Sequence, residues 1–177
     1  SRRQRQMCIR DRNSHFDLPE MEPQDILAAL CQKTGKDFPA LPETDYTVRY
    51  VHRSMQEYLS PAFYLTPPLD TRTPNIIYIN PSDQRSNLEL FTTLSHEGFP
   101  GHLYQTNYFL TTNPSPLRTF LHCAGYDEGW GTYAQLYSYN FIEFKNVDEQ
   151  TTKQLRQLYR DNDLLSLCLL YTSDAAD

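Results

Sequence analysis

Two histidines flank a glutamate in the stretch Ser95-His96-Glu97-Gly98-Phe99-Pro100-Gly101-His102, and an acidic pair follows in Asp127-Glu128-Gly129-Trp130. These residue types hold metal ions and use them. Zinc takes neutral imidazole and carboxylate ligands at tetrahedral corners, and a catalytic site keeps one corner open for water. His96, His102 and Glu128 could supply three ligands. Glu97 could then take a proton from water at the open corner, so the chemistry implied is metal-assisted hydrolysis.

The spacing is unusual. In the common H-E-x-x-H motif the histidines stand at i and i+4 on one helix face. Here they stand at i and i+6. Six steps of about 100° put them roughly 120° apart, so an unbroken helix cannot offer both to one ion. Pro100 removes a helical N–H and clashes with the carbonyl of His96. Gly98 and Gly101 accept backbone angles that other residues avoid. The segment Gly98-Phe99-Pro100-Gly101 is therefore expected to loop out and bring His102 back toward His96.

The ends of the chain read differently from its middle. Cys168 to Asp177 back-translates into DNA whose reverse complement, in a shifted frame, encodes Arg2 to Asp11. Unrelated termini do not encode one another on opposite strands. Residues 1–11 and 168–177 are therefore expected to be translated sequencing adapter, with 12–167 native and the gene continuing past both junctions. Without these ends the chain has 12 basic and 19 acidic side chains, a net charge of −7 against −6 for the whole. That balance argues against a nucleic-acid-binding surface. Cys8 and Cys168 fall in the terminal stretches. Cys31 and Cys123 have no framework spacing, and each is expected to serve as a small buried apolar residue. No apolar run approaches the roughly 18 residues of a membrane span. The compartment is not legible, because the native N-terminus is expected to lie outside the sequence.

The elements that must position the histidines follow from local pattern. Glu22-Pro23-Gln24-Asp25 opens a helix with an Ile26, Leu27 and Leu30 stripe, and Gly35 fits its end. Tyr46 to Val51 alternates and reads as a strand, as does Asn75 to Asn80. Prolines 61, 67, 68 and 74 exclude regular helix over 60–75. Ser86-Asn87-Leu88-Glu89 is a capping box, and its helix carries Leu88, Phe91 and Leu94 into His96-Glu97. Helix resumes over Leu103 to Thr111 and breaks at Asn113-Pro114-Ser115-Pro116. Another runs from about Leu117 toward Gly125. A further one, from about Asp127 to Phe144, carries Tyr126, Trp130, Tyr133 and Tyr137 at helical spacing, with Glu128 off that stripe. Asp148 caps a last helix whose Leu155, Leu158, Asn162 and Leu165 share a face. The fold expected is mainly α with two or three short strands.

At this point a family resemblance enters. The stretch from about Phe38 to Tyr139 resembles the bacterial family called domain of unknown function 885, itself similar to the gluzincin metallopeptidases. It rests on Ser60 to Pro68, Asn75 to Asn80, His96 to Gln105 and Gly125 to Trp130. The resemblance implies a helical gluzincin-like catalytic domain, of which 12–167 would be a fragment. It implies His96, His102 and Glu128 as zinc ligands and Glu97 as general base. The 26 steps from His102 to Glu128 are similar to the spacing in helical oligopeptidases. The strand at 75–80 would line the cleft. Two departures stand out. The family usually has an acidic residue where this chain has Gln135, so a contact behind the metal ligands differs. The family also continues into a downstream segment with a histidine tied to transition-state stabilisation, which would begin near residue 168. The fragment could therefore bind metal and be inactive.

Other residues are weighed against plainer roles. Tyr126, Tyr133 and Tyr137 could donate to an oxyanion, although an aromatic stripe also packs a core. Tyr78 and Asn80 could hydrogen-bond a substrate main chain as an edge strand does. Asp127 could orient a ligand histidine, or simply favour its helix N-terminus. Gln105, one turn after His102, could line the cleft or face solvent. His15, His52 and His122 read as structural or surface residues. The function expected is zinc-dependent hydrolysis of peptide bonds in short peptides. Alternatives are a zinc hydrolase of another amide or ester, and a non-catalytic peptide-binding domain. Glu97 favours catalysis, because zinc binding alone does not need it.

Overall fold

The computed structural model describes residues 18–68, 70–82, 86–121 and 123–173, with side chains to residue 168. His15, His122, the expected adapter stretch 1–11 and, of the expected adapter stretch 168–177, residues 174–177 lie outside the described residues. Residues 21–138 form one compact unit, and residues 139–173, with 18–20, belong to another.

The larger unit begins with α1, Pro23–Asp37, whose Ile26, Leu27, Leu30 and Thr34 are buried along one stripe. Gly35 does not end it. The helix runs two residues further, until Phe38 turns extended before Pro39 and its N–H closes on the Thr34 carbonyl, as a residue preceding proline is pushed to do. Three strands follow: β1, Tyr46–Tyr50; β2, Ala62–Leu65; and β3, Asn75–Ile79. β2 forms inside the proline-rich stretch because its prolines flank the run Ala-Phe-Tyr-Leu and leave its N–H groups free. The sheet order is β1-β3-β2, parallel between β1 and β3 and antiparallel between β2 and β3. β3 is thus the central strand, and its Ile76, Ile77 and Ile79 are all buried, as a strand covered on both faces should be.

Four helices complete the unit. The capping box is present: Ser86 Oγ accepts from the Glu89 N–H at 3.2 Å, and Glu89 Oε2 accepts from the Ser86 N–H at 3.0 Å. It starts α2, Asn87–Glu97. Then come α3, His102–Thr111, the short α4, Pro116–Phe120, and α5, Ala124–Ser138. α2 is the hub. It packs on α1, β2 and α5, with Leu94 fully buried.

The helix expected to reach residue 144 ends at Ser138, and the smaller unit opens with a 3-10 turn, Tyr139–Phe141. Its main element is α6, Glu149–Ser173, which runs through 168–173 without a break. Asp148 caps it, accepting from the Thr151 N–H at 2.9 Å. Leu155 and Tyr159 are buried, while Leu158 and Leu165 are exposed. The inward face therefore follows the i, i+4 pair, and Tyr159 stacks on Phe144 at 5.8 Å. This replaces the face expected from Leu155, Leu158, Asn162 and Leu165.

Cys31 and Cys123 are exposed rather than buried. Cys31 sits one step round α1 from the buried Leu30, off the apolar stripe. Among the described residues, no helix is long and apolar enough to cross a membrane.

Candidate metal centre

The junction between α2 and α3 decides where the two histidines point. α2 ends on His96 and Glu97, and α3 begins on His102. Between them the backbone makes two hydrogen bonds that span six residues instead of four. Gly101 N–H donates to Ser95 O at 3.0 Å, and Tyr104 N–H donates to Gly98 O at 3.1 Å. Two extra residues are thereby looped out, and His102 returns to the place that i+4 occupies in a regular helix. The imidazole centroids are 4.7 Å apart, with the rings nearly perpendicular.

Several contacts fix this loop. The Trp130 indole donates to the Pro100 carbonyl at 2.7 Å, tying α5 to the turn. Phe99 is buried and meets the Tyr46 ring at 5.4 Å. Gly101 must be glycine for a reason the sequence does not display: a Cβ there would collide with the His96 carbonyl. Its backbone has no positive φ, so close approach is the constraint.

α5 brings the third candidate ligand. Glu128 Oε2 lies 3.4 Å from His96 Nε2 and 3.7 Å from His102 Nε2. One ligand atom from each residue falls within 4.8 Å of the others, a group that could hold a metal ion. The histidine side chains are largely covered, at 17% and 16% exposure, and Glu128 is open at 60%. The approach from solvent is therefore on the Glu128 side. Gly131, one turn beyond Glu128, keeps the space clear, since a Cβ there would stand 2.6 Å from His96 Nε2.

Gln135 lies seven residues after Glu128, two turns along the same helix face. Its Oε1 is 3.2 Å from His96 Nδ1. An amide oxygen only accepts, so Nδ1 carries a hydrogen, and Nε2 is the nitrogen turned toward Glu128. Glu97 is part-buried, and its Oε2 accepts from the Tyr64 N–H at 2.9 Å. Burial pushes its carboxyl above the usual carboxylate range. The Tyr64 N–H and the neighbouring His96 and His102 pull it down, and Glu128 pushes it up.

The other residues singled out in the sequence divide. Tyr78 and Asn80 do not offer a free edge, because β3 is paired on both sides. Tyr78 stacks on Phe63 at 5.1 Å, on the sheet face opposite Ile77, whose side chain packs toward Gly98. Asn80 is a buried tie. Its amide donates to Gln56 O at 2.7 Å and Leu59 O at 2.9 Å. The edge that reaches the centre belongs to β2, which no sequence pattern marked beyond its bounding prolines.

Tyr133 and Tyr126 stand roughly 140° and 160° round α5 from Glu128. Tyr133 packs against Trp130 at 5.6 Å and Tyr137 at 5.8 Å. The Tyr137 hydroxyl is 3.3 Å from Asp37, and Tyr126 is exposed. The stripe serves an aromatic cluster with Phe38 on the far side of the helix. Asp127 lies in the first turn of α5. Gln105 Nε2 is buried without a hydrogen-bond partner. His52 Nδ1 engages the Ser54 hydroxyl at 2.8 Å, a local turn contact.

Two histidines and Glu128 thus converge, with Glu97 beside them. Comparison gives the family: residues 20–155 match the model described as "Bacterial protein of unknown function (DUF885)", and the chain belongs to that family. Among solved structures it is similar to a "putative lipoprotein" from Colwellia psychrerythraea, with 24% identity and a TM-score of 0.62. The match covers 77% of this chain and 23% of that one, so the chain spans about a quarter of its length. At that identity the likeness shows the fold alone. No curated protein matches.

Proposed function

We propose that this chain carries the zinc centre of a metallopeptidase that hydrolyses peptide bonds in short peptides. The observation that carries the reading is the convergence of His96 Nε2, His102 Nε2 and Glu128 Oε2, with the part-buried Glu97 beside them. Ligands at about 2.0–2.1 Å from a tetrahedral zinc stand roughly 3.3–3.4 Å apart. The two distances to Glu128, 3.4 and 3.7 Å, suit that geometry. Two imidazoles and one carboxylate also form the ligand set of open catalytic zinc sites. The glycine at 131, where a side chain would fill the space before His96, is a further fit.

A zinc ion held there supplies a Lewis acid for the scissile carbonyl and acidifies the attacking water. The chain's own residues do the rest. His96, His102 and Glu128 hold the ion, and Gln135 keeps His96 in the Nε2-ligating tautomer. Glu97 accepts the proton of the attacking water and hands it to the leaving nitrogen, so the carboxylate is regenerated at each turnover.

The neighbouring edge strand favours a peptide over another amide or ester. Ladder bonds alternate along an antiparallel strand. The Tyr64 N–H points to Glu97, so Phe63 and Leu65 pair with β3, while Ala62 and Tyr64 turn their main-chain groups outward. An outward edge beside the base suits an extended peptide main chain. An ester lacking such a chain gains nothing from it.

Replacing Glu97 with Gln tests the assignment. The variant is expected to keep one zinc per chain and to lose turnover of short peptides by at least about 1,000-fold. Unchanged turnover would remove Glu97 from the mechanism, and loss of zinc together with turnover would make it a ligand instead.

A further inference from the structure

Tyr64 touches the site twice, through its main chain and through its ring, and the two contacts lead to different helices. Its N–H donates to Glu97 Oε2 at 2.9 Å. Its hydroxyl donates to Asn75 Oδ1 at 2.7 Å. The same Asn75 oxygen accepts from Asn107 Nδ2 at 3.2 Å, and Asn107 also donates to Leu103 O at 2.8 Å. Asn75 is 2% exposed, and its own amide donates to Asp45 O at 3.1 Å. The chain of contacts therefore runs from Glu97 on α2, through β2 and β3, to Asn107 on α3, the helix that begins with His102. The Tyr64 hydroxyl and both polar atoms of the Asn75 amide are hydrogen-bonded. Such satisfied buried networks hold their members in one arrangement.

We propose that Tyr64 is the positioning residue of Glu97: its ring, locked on Asn75 and Asn107, fixes its N–H against one carboxylate oxygen and leaves the other oxygen to move protons. This rests on the peptidase reading for its catalytic consequence, though not for its geometry. A carboxylate with one oxygen pinned presents the second at a fixed angle to the water. Without the pin, the side chain samples orientations in which neither oxygen faces the open corner. The ring also keeps β2 from sliding along β3, since a one-residue slip would turn a different N–H outward.

The test is Tyr64→Phe in the full chain, read three ways. Amide exchange at residue 64 should quicken about tenfold, the size of one lost buried hydrogen bond, while that at Phe63, paired with β3, stays as it was. Zinc affinity, measured by competition with a chromophoric chelator, should stay within about twofold, because no ligand is touched. On a mixture of short peptides kcat should fall about tenfold with KM unchanged, as expected for a group acting only in the transition state. Asn107→Ala should move exchange and kcat in the same direction, and it stands in if the phenylalanine variant does not fold. Wild-type exchange at residue 64 in the folded variant overturns the proposal. Faster exchange with undiminished kcat overturns it too. If wild-type protein binds zinc but cleaves no peptide, the kinetic arm has no reading, and the exchange result alone decides the positioning.

Discussion

Gly131 sets how closely α5 can approach His96. A Cβ at 131 would sit 2.6 Å from the nitrogen that faces Glu128, closer than any unstrained contact allows. In a helix, glycine costs up to about 1 kcal/mol against alanine, so its presence mid-helix asks for a reason, and the space before His96 supplies one. Gly131→Ala should therefore separate stability from metal binding. The metal-free variant is expected to resist urea at least as well as wild type, while zinc affinity falls by about 100-fold or more, since displacing a ligand costs at least what loosening its support does. A chelator titration and a urea melt on the same samples check both. That His96, His102 and Glu128 come together was legible in the sequence, because His, His and Glu with a neighbouring Glu are few and chemically specific. The role of Gly131 was not, since a missing side chain has meaning only against the atom that would strike it. Gln135 was legible as a position behind the ligands, and its two-turn spacing from Glu128 accounts for its reach to His96.

At the scale of elements, the break between α2 and α3 is the decisive feature. Proline and two glycines signalled that the helix must break, and the two six-residue hydrogen bonds show how it resumes. Gly101→Ala should destabilise the protein by about 3 kcal/mol and abolish zinc binding with it, because the Cβ meets the His96 carbonyl itself. Urea denaturation with and without zinc reads both effects. The capping box at Ser86 was equally legible, being a local exchange of two hydrogen bonds. Tertiary pairing was harder to read. Asn75–Ile79 was recognisable as a strand, yet nothing within five residues says whether a strand is central or at an edge. The four residues of β2 lay hidden among prolines that bound it without entering it. The tyrosine stripe of α5 had helical spacing, but its far-side placement follows only from Glu128 defining the near side. Cys31 misled for a similar reason: its residue type favours burial, and its place on α1 turns it outward.

For the whole molecule, the described chain matches its family over 136 residues, 20–155, and spans 23% of the similar solved protein. Its candidate metal group joins α2, α3 and α5, all within the unit of residues 21–138. Binding an ion across three elements must stabilise that unit, because an unfolded chain does not gather the three ligands. Zinc at 100 times its dissociation constant should add about 2.7 kcal/mol to unfolding. Heat or urea unfolding with added zinc, against excess chelator, measures this; an equal shift in a His96→Ala, His102→Ala variant would assign the effect to another site. The mainly helical class was legible from periodicity summed over many residues. The division at Ser138 was not, since the apolar pattern runs on past it while the helix gives way to a 3-10 turn.

The central claim is that one metal ion sits among His96, His102 and Glu128, and X-ray absorption at the zinc edge on protein loaded with one equivalent addresses it directly. The account expects two imidazole nitrogens and carboxylate or water oxygens at about 2.0–2.2 Å, with imidazole scattering halved in His102→Ala. A spectrum with no imidazole component, or one unchanged by that substitution, would contradict it.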